Sequence, residues 1–292
     1  MKKFKLVCAL ATLLFTFFVS GYSQAASAKI IIVAAENFYG DISRQIGGDL
    51  VDVSSILSNP DQDPHLFEAS PSVARAMSQA KIVVLNGLNY DSWAQDLLTA
   101  SLSKGRAVIV AGDIAGKVSG DNPHIWYDIE TMRKVALSIS KKLTEIDPAN
   151  AKIYQQNASD FEQSLFPISQ KIAAISASHK GLAAAATEPV FGYMFQSLGF
   201  DVKEMQFQIS TMNDTEPSIS DVAQFEKDLE NRVIKVLVYN GQATSPLADR
   251  MLALAKKQSI PVVAVSETEP AGKNYQQWML EQVNAISVAI GN

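Results

Sequence analysis

Short apolar runs rich in β-branched residues recur along the chain, and segments with helical periodicity separate them. Residues 29–33 read KIIIV, residues 81–85 read KIVVL and residues 260–265 read IPVVAV. Strands that are apolar along their whole length are covered on both faces, as they are in parallel sheets flanked by helices. The alternation of such runs with helical segments therefore predicts an α/β fold with mostly parallel sheets.

The predicted strands form two groups with a long helical region between them. That region contains a helix over residues 129–146, followed by a second helical pattern over residues 148–178. Asp147 suits the N-cap and Pro148 the first turn of this second helix, whereas Pro167 is expected to bend it. The strands are predicted at residues 29–33, 51–56, 81–85 and 107–110 in the first group, and at residues 182–186, 205–209, 233–239 and 260–265 in the second.

This order predicts two α/β lobes joined by a single long rigid helix. The expected first lobe covers residues 29–147, the linking helix residues 148–178 and the second lobe residues 179–292. Each lobe would be a mostly parallel sheet flanked by helices. The linking segment has no Gly-rich or Ser-rich stretch, so it is not expected to behave as a flexible linker.

The first 28 residues have the order of a secretory signal peptide. Lysines at the start precede an apolar run over residues 6–19, and small residues follow up to Ala28. The run is too short to span a bilayer, which takes about 20 residues. Cys8, the only cysteine, lies inside this run rather than at the expected cleavage site, where a lipid-anchored protein would need it. We therefore expect an exported chain without a lipid anchor or stable membrane insertion.

The charge of the chain excludes nucleic acid as an expected partner. Cleavage after Ala28 removes Lys2, Lys3 and Lys5 but no acidic residue, so the formal charge changes from -5 to -8 over the remaining 264 residues. Proteins that bind nucleic acid neutralise phosphates with Lys and Arg, which requires a basic surface.

Four side chains that can bind a metal follow four of the predicted strands. Ligands bind beyond the carboxyl ends of parallel strands, because the loops there converge. Two imidazoles and two carboxylates suit zinc, manganese or iron(II), and the two negative charges offset those of a divalent ion. No short motif joins the four positions, and no free acid or base is placed beside them, so we predict a binding site without catalytic residues. The four candidates are His65, His124, Glu188 and Glu267.

Four segments carry a resemblance to a known family. DPHLFEASPSVARAM, NPHIWYD, EPVFGYMFQSLGF and IPVVAVSETEP resemble, in order and approximate spacing, signature segments of the cluster A-I periplasmic metal-binding proteins. These proteins are the solute receptors of ATP-driven zinc and manganese importers, and the resemblance covers nearly all of the chain after the signal peptide. It implies two lobes that hold one metal ion between them, a periplasmic monomer, and an inner-membrane ABC permease as the partner that receives the ion.

The resemblance implies one metal ligand from each segment. His65 and His124 match the first two ligands. Glu188 stands where zinc receptors usually have histidine and manganese receptors often have glutamate. The fourth ligand falls in the sequence SETEP, where we favour Glu267 over Glu269.

Two further features concern the metal and the neighbours of its ligands. Asn240 stands where many family members carry glutamate, and Asn240 and Gln242 are expected to border the site as hydrogen-bonding neighbours. Many zinc receptors insert a histidine-rich loop before the second ligand, but residues 111–123 contain none. The absence of this loop, together with Glu188, favours manganese. Zinc outranks manganese in intrinsic affinity at most nitrogen and oxygen sites, so both metals stay open.

Two other functions are alternatives at this point. A two-lobed receptor could bind an organic ligand such as chelated iron or haem, but such receptors lack this set of four ligands. A metal-dependent hydrolase would use the same residues with one open coordination position. Four protein ligands leave little room for an activated water, so we expect a binding protein rather than an enzyme.

Overall fold

The computed structural model describes residues 28–59, 67–101, 103, 105–243 and 245–291. The predicted signal peptide up to residue 27 and the segment 60–66, which carries His65, lie outside the described residues. Within the described residues, two four-stranded parallel sheets with flanking helices make up two lobes. The predicted fold class is confirmed.

The first sheet is built from strands near the start of the chain. Its strands are β1 (Ile30–Glu36), β2 (Val51–Leu57), β3 (Ile82–Leu85) and β4 (Ala107–Val110). They lie in the order β2-β1-β3-β4, and all three pairings are parallel. The central strand β1 is buried from Ile32 onward, because helices cover both faces of the sheet.

The helices of the first lobe follow its strands closely. They are α1 (Asn37–Gly47), α2 (Pro71–Gln79), α3 (Ser92–Ala100) and the short α4 (Ala111–Ile114). Helix α1 lies so near β2 that a Cβ atom on Gly40 would come within 2.0 Å of Ser55 Oγ. A side chain at this position would force Ser55 to move, so glycine lets the helix pack closely on the sheet. The chain passes from β1 directly into α1, which places Glu36 and Asn37 at the carboxyl edge of the sheet.

Three long helices lie between the two sheets in the sequence. Helix α5 (Ile129–Ile146) begins behind Asp128, whose side chain accepts a hydrogen bond from Glu130 N. The predicted linking pattern starts with one helical turn and then forms α6 (Ala151–Ser164) and α7 (Phe166–His179). Leu165 between them keeps right-handed helical dihedral angles, so the interruption is confined to one residue. Pro167 lacks an N–H donor, which accounts for an interruption at this point.

The second sheet repeats the arrangement of the first. Its strands are β5 (Ala183–Ala186), β6 (Asp201–Val202), β7 (Val236–Asn240) and β8 (Val262–Val265). They lie in the order β6-β5-β7-β8, and all pairings are again parallel. Glu188 and Glu267 follow the carboxyl ends of β5 and β8, and Asn240 is the last residue of β7.

The helices of the second lobe surround this sheet. They are α8 (Gly192–Leu198), α9 (Met205–Met212), α10 (Ile219–Glu230), α11 (Pro246–Lys257) and α12 (Tyr275–Ala289). Helix α12 begins with a capping box in which Asn274 and Gln277 satisfy each other's backbone N–H groups. None of the helices in the described part of the chain has the length and hydrophobicity to cross a membrane.

One predicted element is wrong. Residues 205–209 alternate apolar and polar side chains and were expected to form a strand, but they belong to α9. Glu204 adopts a left-handed conformation that turns the chain after the short edge strand β6. Phe207 then packs against Phe225 of α10 with ring centroids 4.8 Å apart. This tertiary contact outweighs the local alternation of residue types.

A hydrophobic cluster extends through both lobes. It includes buried residues of both sheets and of the helices between them. Phe38 lies 4.9 Å from Trp126 and 5.9 Å from Trp278 between ring centroids, and Tyr127 lies 5.0 Å from Phe191. Helix α6 packs against α1 of the first lobe, whereas α7 packs against α8 and α12 of the second. The lobes therefore share packed aromatic side chains as well as the linking helices.

Candidate metal centre

The candidate ligand His124 lies beside the candidate ligand Glu267 across the two lobes. His124 Nε2 is 3.5 Å from Glu267 Oε2, and both side chains are almost completely buried. Tyr90, which follows β3, donates a hydrogen bond from its hydroxyl to the same Glu267 oxygen at 2.9 Å. Burial, followed by the charge of Glu267, raises the pKa of Tyr90 well above its usual value. The tyrosine therefore remains a neutral donor to the carboxylate at physiological pH.

The loop that carries His124 is fixed on both sides by asparagine side chains. Asn86 at the end of β3 donates to Pro123 O at 3.0 Å. Asn122 donates from Nδ2 to Pro189 O in the second lobe at 2.7 Å, so its Oδ1 must face His124. That oxygen accepts from His124 N at 3.1 Å and lies 2.6 Å from His124 Nδ1.

These contacts determine which nitrogen of the neutral His124 ring carries its proton. Because Asn122 Oδ1 can only accept, Nδ1 must be the donor, and Nε2 keeps a lone pair. Within the described residues, the buried Nε2 atom has no hydrogen-bond partner. A neutral imidazole with its second nitrogen held by a hydrogen bond is the form that binds metal ions.

Glu188 and Glu267 are joined through one asparagine side chain. Asn240 at the end of β7 donates from Nδ2 to Glu188 Oε2 at 2.7 Å and to Glu267 Oε1 at 2.6 Å. Gln242 Oε1 in turn accepts from the backbone nitrogens of Glu267 and Thr268, at 2.5 and 3.0 Å. Asn240 thus contacts both glutamates, and Gln242 contacts the backbone of Glu267.

Glu269, the alternative to Glu267, lies in a different environment. Its backbone is bound by Asn37, which donates to Glu269 O at 2.7 Å and accepts from Glu269 N at 3.0 Å. Its side chain lines a separate cavity of about 330 Å³ together with Arg44 and Lys273. Burial, with a smaller effect from the charge of Asp41, raises the pKa of Glu269 to about 9. The Glu269 side chain thus lines a cavity separate from the contact between His124 and Glu267.

The structure brings three of the four candidate ligands together and leaves one outside the described residues. His124 contacts Glu267, and Asn240 connects Glu267 with Glu188. His65 belongs to the segment that the structure does not describe. Among the residues that it does describe, no group of three or more His, Cys, Asp or Glu side chains has an arrangement that could hold a metal ion by itself.

Several residues at this site were not predicted from the sequence. Tyr90 contacts Glu267, and Asn122 contacts His124. For Asn122 the sequence gives one local indication, its position two residues before His124 at the start of NPHIWYD. Glu36 ends β1 and is completely buried. Neither of its carboxyl oxygens accepts a hydrogen bond from another described residue. Burial, and then the charge of Asp91, raises its pKa well above the usual value.

Two relatives match this chain over nearly its whole length. The metal ABC transporter substrate-binding lipoprotein SloC of Streptococcus mutans is 25% identical, and the match covers 98% of each chain. The manganese-binding lipoprotein MntA of Bacillus subtilis is 23% identical, and the match covers 96% of this chain and 97% of the relative.

The names of these relatives contradict the expectation of a protein without a lipid anchor. Both SloC and MntA are named lipoproteins. The expectation depended on one residue, Cys8, and on a cleavage site assigned from the pattern of small residues. Cys8 lies outside the described residues, so no packing or contact supported that assignment.

A solved structure and a family model extend the comparison. The periplasmic zinc-binding protein TroA of Treponema pallidum superposes with a TM-score of 0.75 at 17% identity, covering 90% of this chain and 99% of TroA. This likeness shows a shared fold of two parallel-sheet lobes. The model of the family described as zinc-uptake complex component A, periplasmic, matches residues 32–289. The chain therefore belongs to the family of the periplasmic component A of zinc-uptake complexes.

Proposed function

We propose that the chain is the solute-binding component of an ABC importer and captures a divalent transition metal, zinc or manganese, between its lobes. The observation that carries the proposal is the meeting of a buried imidazole nitrogen with buried carboxylates at the boundary of the lobes, where His124 Nε2 lies 3.5 Å from Glu267 Oε2. The named relatives support it, since SloC is a metal ABC transporter protein and MntA a manganese-binding one.

The proposed ligands are His65, His124, Glu188 and Glu267. Two neutral imidazoles and two carboxylates supply four donors whose charge balances that of a divalent ion. His65 enters this set through the sequence resemblance alone, whereas contacts among the described residues support the other three. Glu267 is preferred over Glu269, because Glu267 faces His124 and Glu269 lines the separate cavity with Arg44.

The metal is cargo in this proposal, so the site binds and releases an ion and does not turn over a substrate. The proposed partner is an inner-membrane permease, and the proposed unit that delivers the ion is a monomer. The family match and the named relatives concern metal uptake, and they favour neither a receptor for chelated iron or haem nor a metal-dependent hydrolase. The proposed extents of the lobes are residues 29–147 and 179–292, with residues 148–178 between them.

Equilibrium dialysis with metal analysis tests the function. We expect the wild-type protein to bind one zinc or manganese ion per chain, and His124→Ala to weaken zinc binding more than about a hundredfold, because it removes a ligand and not only a neighbour of one. His179→Ala is the matched control, since His179 lies in the last turn of α7 and bonds to Ser178. A wild-type protein without bound metal, or equal losses in both variants, would contradict the proposal.

A further inference from the structure

Glu188 is the most exposed of the three candidate ligands that the structure describes. It is 7% exposed, whereas His124 and Glu267 are each 0% exposed. Under the proposed function an ion must pass from solvent to these buried side chains. The approach that meets the least buried ligand is therefore the one at Glu188.

Glu188 lines a cavity of about 560 Å³, which we call the second-lobe cavity. Its described lining residues all fall between residues 187 and 250, so the cavity is formed by the second lobe. A water molecule occupies about 30 Å³ in the liquid, which means that this volume has room for an ion with bound water. An ion in this cavity reaches Glu188 without any separation of the two lobes.

The packing between the lobes favours a route of this kind. Phe38 of the first lobe contacts Trp278 of the second, and Tyr127 contacts Phe191, with ring centroids 5.9 and 5.0 Å apart. Close-packed side chains resist deformation, so opening the boundary of the lobes would break these contacts. A path inside the second lobe leaves them intact.

The charges on the wall of the second-lobe cavity suit a cation. Asp214 and Glu216 are exposed and line the cavity together with Glu188. Arg250 is the one basic residue among its described lining residues, and it is paired with Glu226 at 2.5 Å. A cleft in which one sign of charge predominates raises the local concentration of ions of the opposite sign.

A second cavity, of about 380 Å³, lies at the boundary of the lobes, and we call it the boundary cavity. Tyr90 and Asn122 line it, whereas none of the three described candidate ligands does. Tyr90 bonds to Glu267, and Asn122 bonds to His124 and to the backbone of Pro189. An ion in the boundary cavity would have to disrupt these hydrogen bonds before it reached a ligand.

We propose that cargo ions enter and leave the candidate metal centre through the second-lobe cavity, and that Glu188 is the first of the described candidate ligands that they contact. The inference rests on the proposed function and deepens it by assigning the path of the ion. Helix α9 lies between the two cavities, because Thr211 lines the second-lobe cavity and Met212, the next residue, lines the boundary cavity. These neighbours offer matched positions at which either cavity can be blocked.

Thr211→Trp and Met212→Trp test the route, since each places a large side chain at a half-buried position facing one cavity. Stopped flow with a colour-forming chelator measures the uptake and release of zinc, and dialysis measures the dissociation constant. We expect Thr211→Trp to slow uptake and release alike, at least about tenfold, because a blocked path raises the barrier in both directions. The dissociation constant, which is the ratio of the two rates, should stay unchanged. Met212→Trp should leave both rates as in the wild type.

Thr215→Trp and Asn213→Trp form a second pair if the first variants do not fold, since both residues are exposed and line the second-lobe and boundary cavities, respectively. Slowing by Met212→Trp that equals or exceeds that by Thr211→Trp, or no slowing in either, overturns the proposed route. Weaker affinity at an unchanged uptake rate in Thr211→Trp also overturns it, because that result indicates damage to the ligands rather than a blocked path. A wild-type protein that binds neither zinc nor manganese overturns the proposed function instead.

Discussion

Asn122 is one of the residues that connect the two lobes where the candidate ligands meet. Its Nδ2 atom bonds to the backbone oxygen of Pro189, next to Glu188, and its Oδ1 atom accepts from the ring and backbone of His124. The hydroxyl of Tyr193 donates to Asn122 O at 2.7 Å, so its backbone is held as well. One side chain thus sets both the position and the tautomer of His124.

Replacement of Asn122 should weaken metal binding without removing a ligand. In Asn122→Ala the His124 ring can turn and exchange its tautomer, and we expect zinc affinity to fall about 10- to 100-fold, as it does when partners of metal-binding histidines are lost. Dialysis measures the affinity, and nitrogen NMR of the imidazole reports the tautomer. Asn150→Ala, which removes a bond to Asp147 far from the site, should change neither. Unaltered affinity and tautomer in Asn122→Ala would refute this role.

The sequence predicted some residues of the candidate site and could not predict others. His124, Glu188 and Glu267 follow strands and have side chains that can bind a metal, so a local pattern was enough to predict them as candidate ligands. Tyr90 has no such pattern, since its partner Glu267 lies 177 residues away in the chain. In the sequence, Glu36 has the pattern of an ordinary polar residue at the end of a strand. Only its complete burial in the structure distinguishes it from such a residue. Contacts between lobes depend on tertiary packing, which a local sequence pattern does not contain.

At the scale of elements, the loop over residues 266–269 belongs to the second lobe in sequence but is bound by the first. It follows β8, yet Tyr127 donates from its hydroxyl to Ser266 O at 2.8 Å. Asn37 at the start of α1 makes two hydrogen bonds with the backbone of Glu269. The loop that carries Glu267 is therefore anchored at both ends to the first lobe.

Loss of the Asn37 contact should loosen this loop locally. In Asn37→Ala the buried backbone N–H and C=O of Glu269 lose their partner, which costs about 1–3 kcal/mol for each unsatisfied group. We expect faster hydrogen exchange at the Glu269 amide and faster release of bound zinc. Asn157→Ala, which removes a comparable bond to Ile46 O at 2.9 Å, should leave both rates as in the wild type. Equal exchange in the two variants would show that the anchor is unimportant.

The helix predicted over residues 129–146 matches α5, which begins behind the Asp128 cap. Helix α9 was mistaken for a strand because its alternation reflects packing of Phe207 rather than a sheet. The interruption at Leu165 was expected from Pro167, although its position could only be read from the structure.

At the scale of the whole molecule, the continuous aromatic packing joins the lobes into one structural unit. Trp278 of α12 contacts Phe38 of the first lobe and Tyr127 of the segment before α5. Tyr275 donates from its hydroxyl to Trp126 O at 2.7 Å. Contacts of this kind restrict independent movement of the lobes, because packed side chains resist continuous deformation.

Removal of the Trp278 ring should therefore destabilise both lobes together. Trp278→Ala is expected to cost about 3–5 kcal/mol, as for other large buried aromatic side chains. Calorimetry should show one unfolding transition in the wild type and one, at lower temperature, in the variant. Val288→Ala on the same helix, at a residue that is 78% exposed, should change the free energy of unfolding by less than about 0.5 kcal/mol. Two separate transitions would indicate that the lobes unfold independently.

The contact between His124 and Glu267 has a consequence for the stability of the fold as well. The chain has one cysteine, so it cannot form an internal disulfide. An ion bound by His124 and Glu267 would close a loop that contains α5, α6, α7 and most of the second lobe. An ion that binds the folded chain and not the unfolded one stabilises the fold by mass action. In the proposed function, the bound ion would add stability that is lost on its release, and the loaded protein should resist proteases that digest the empty one.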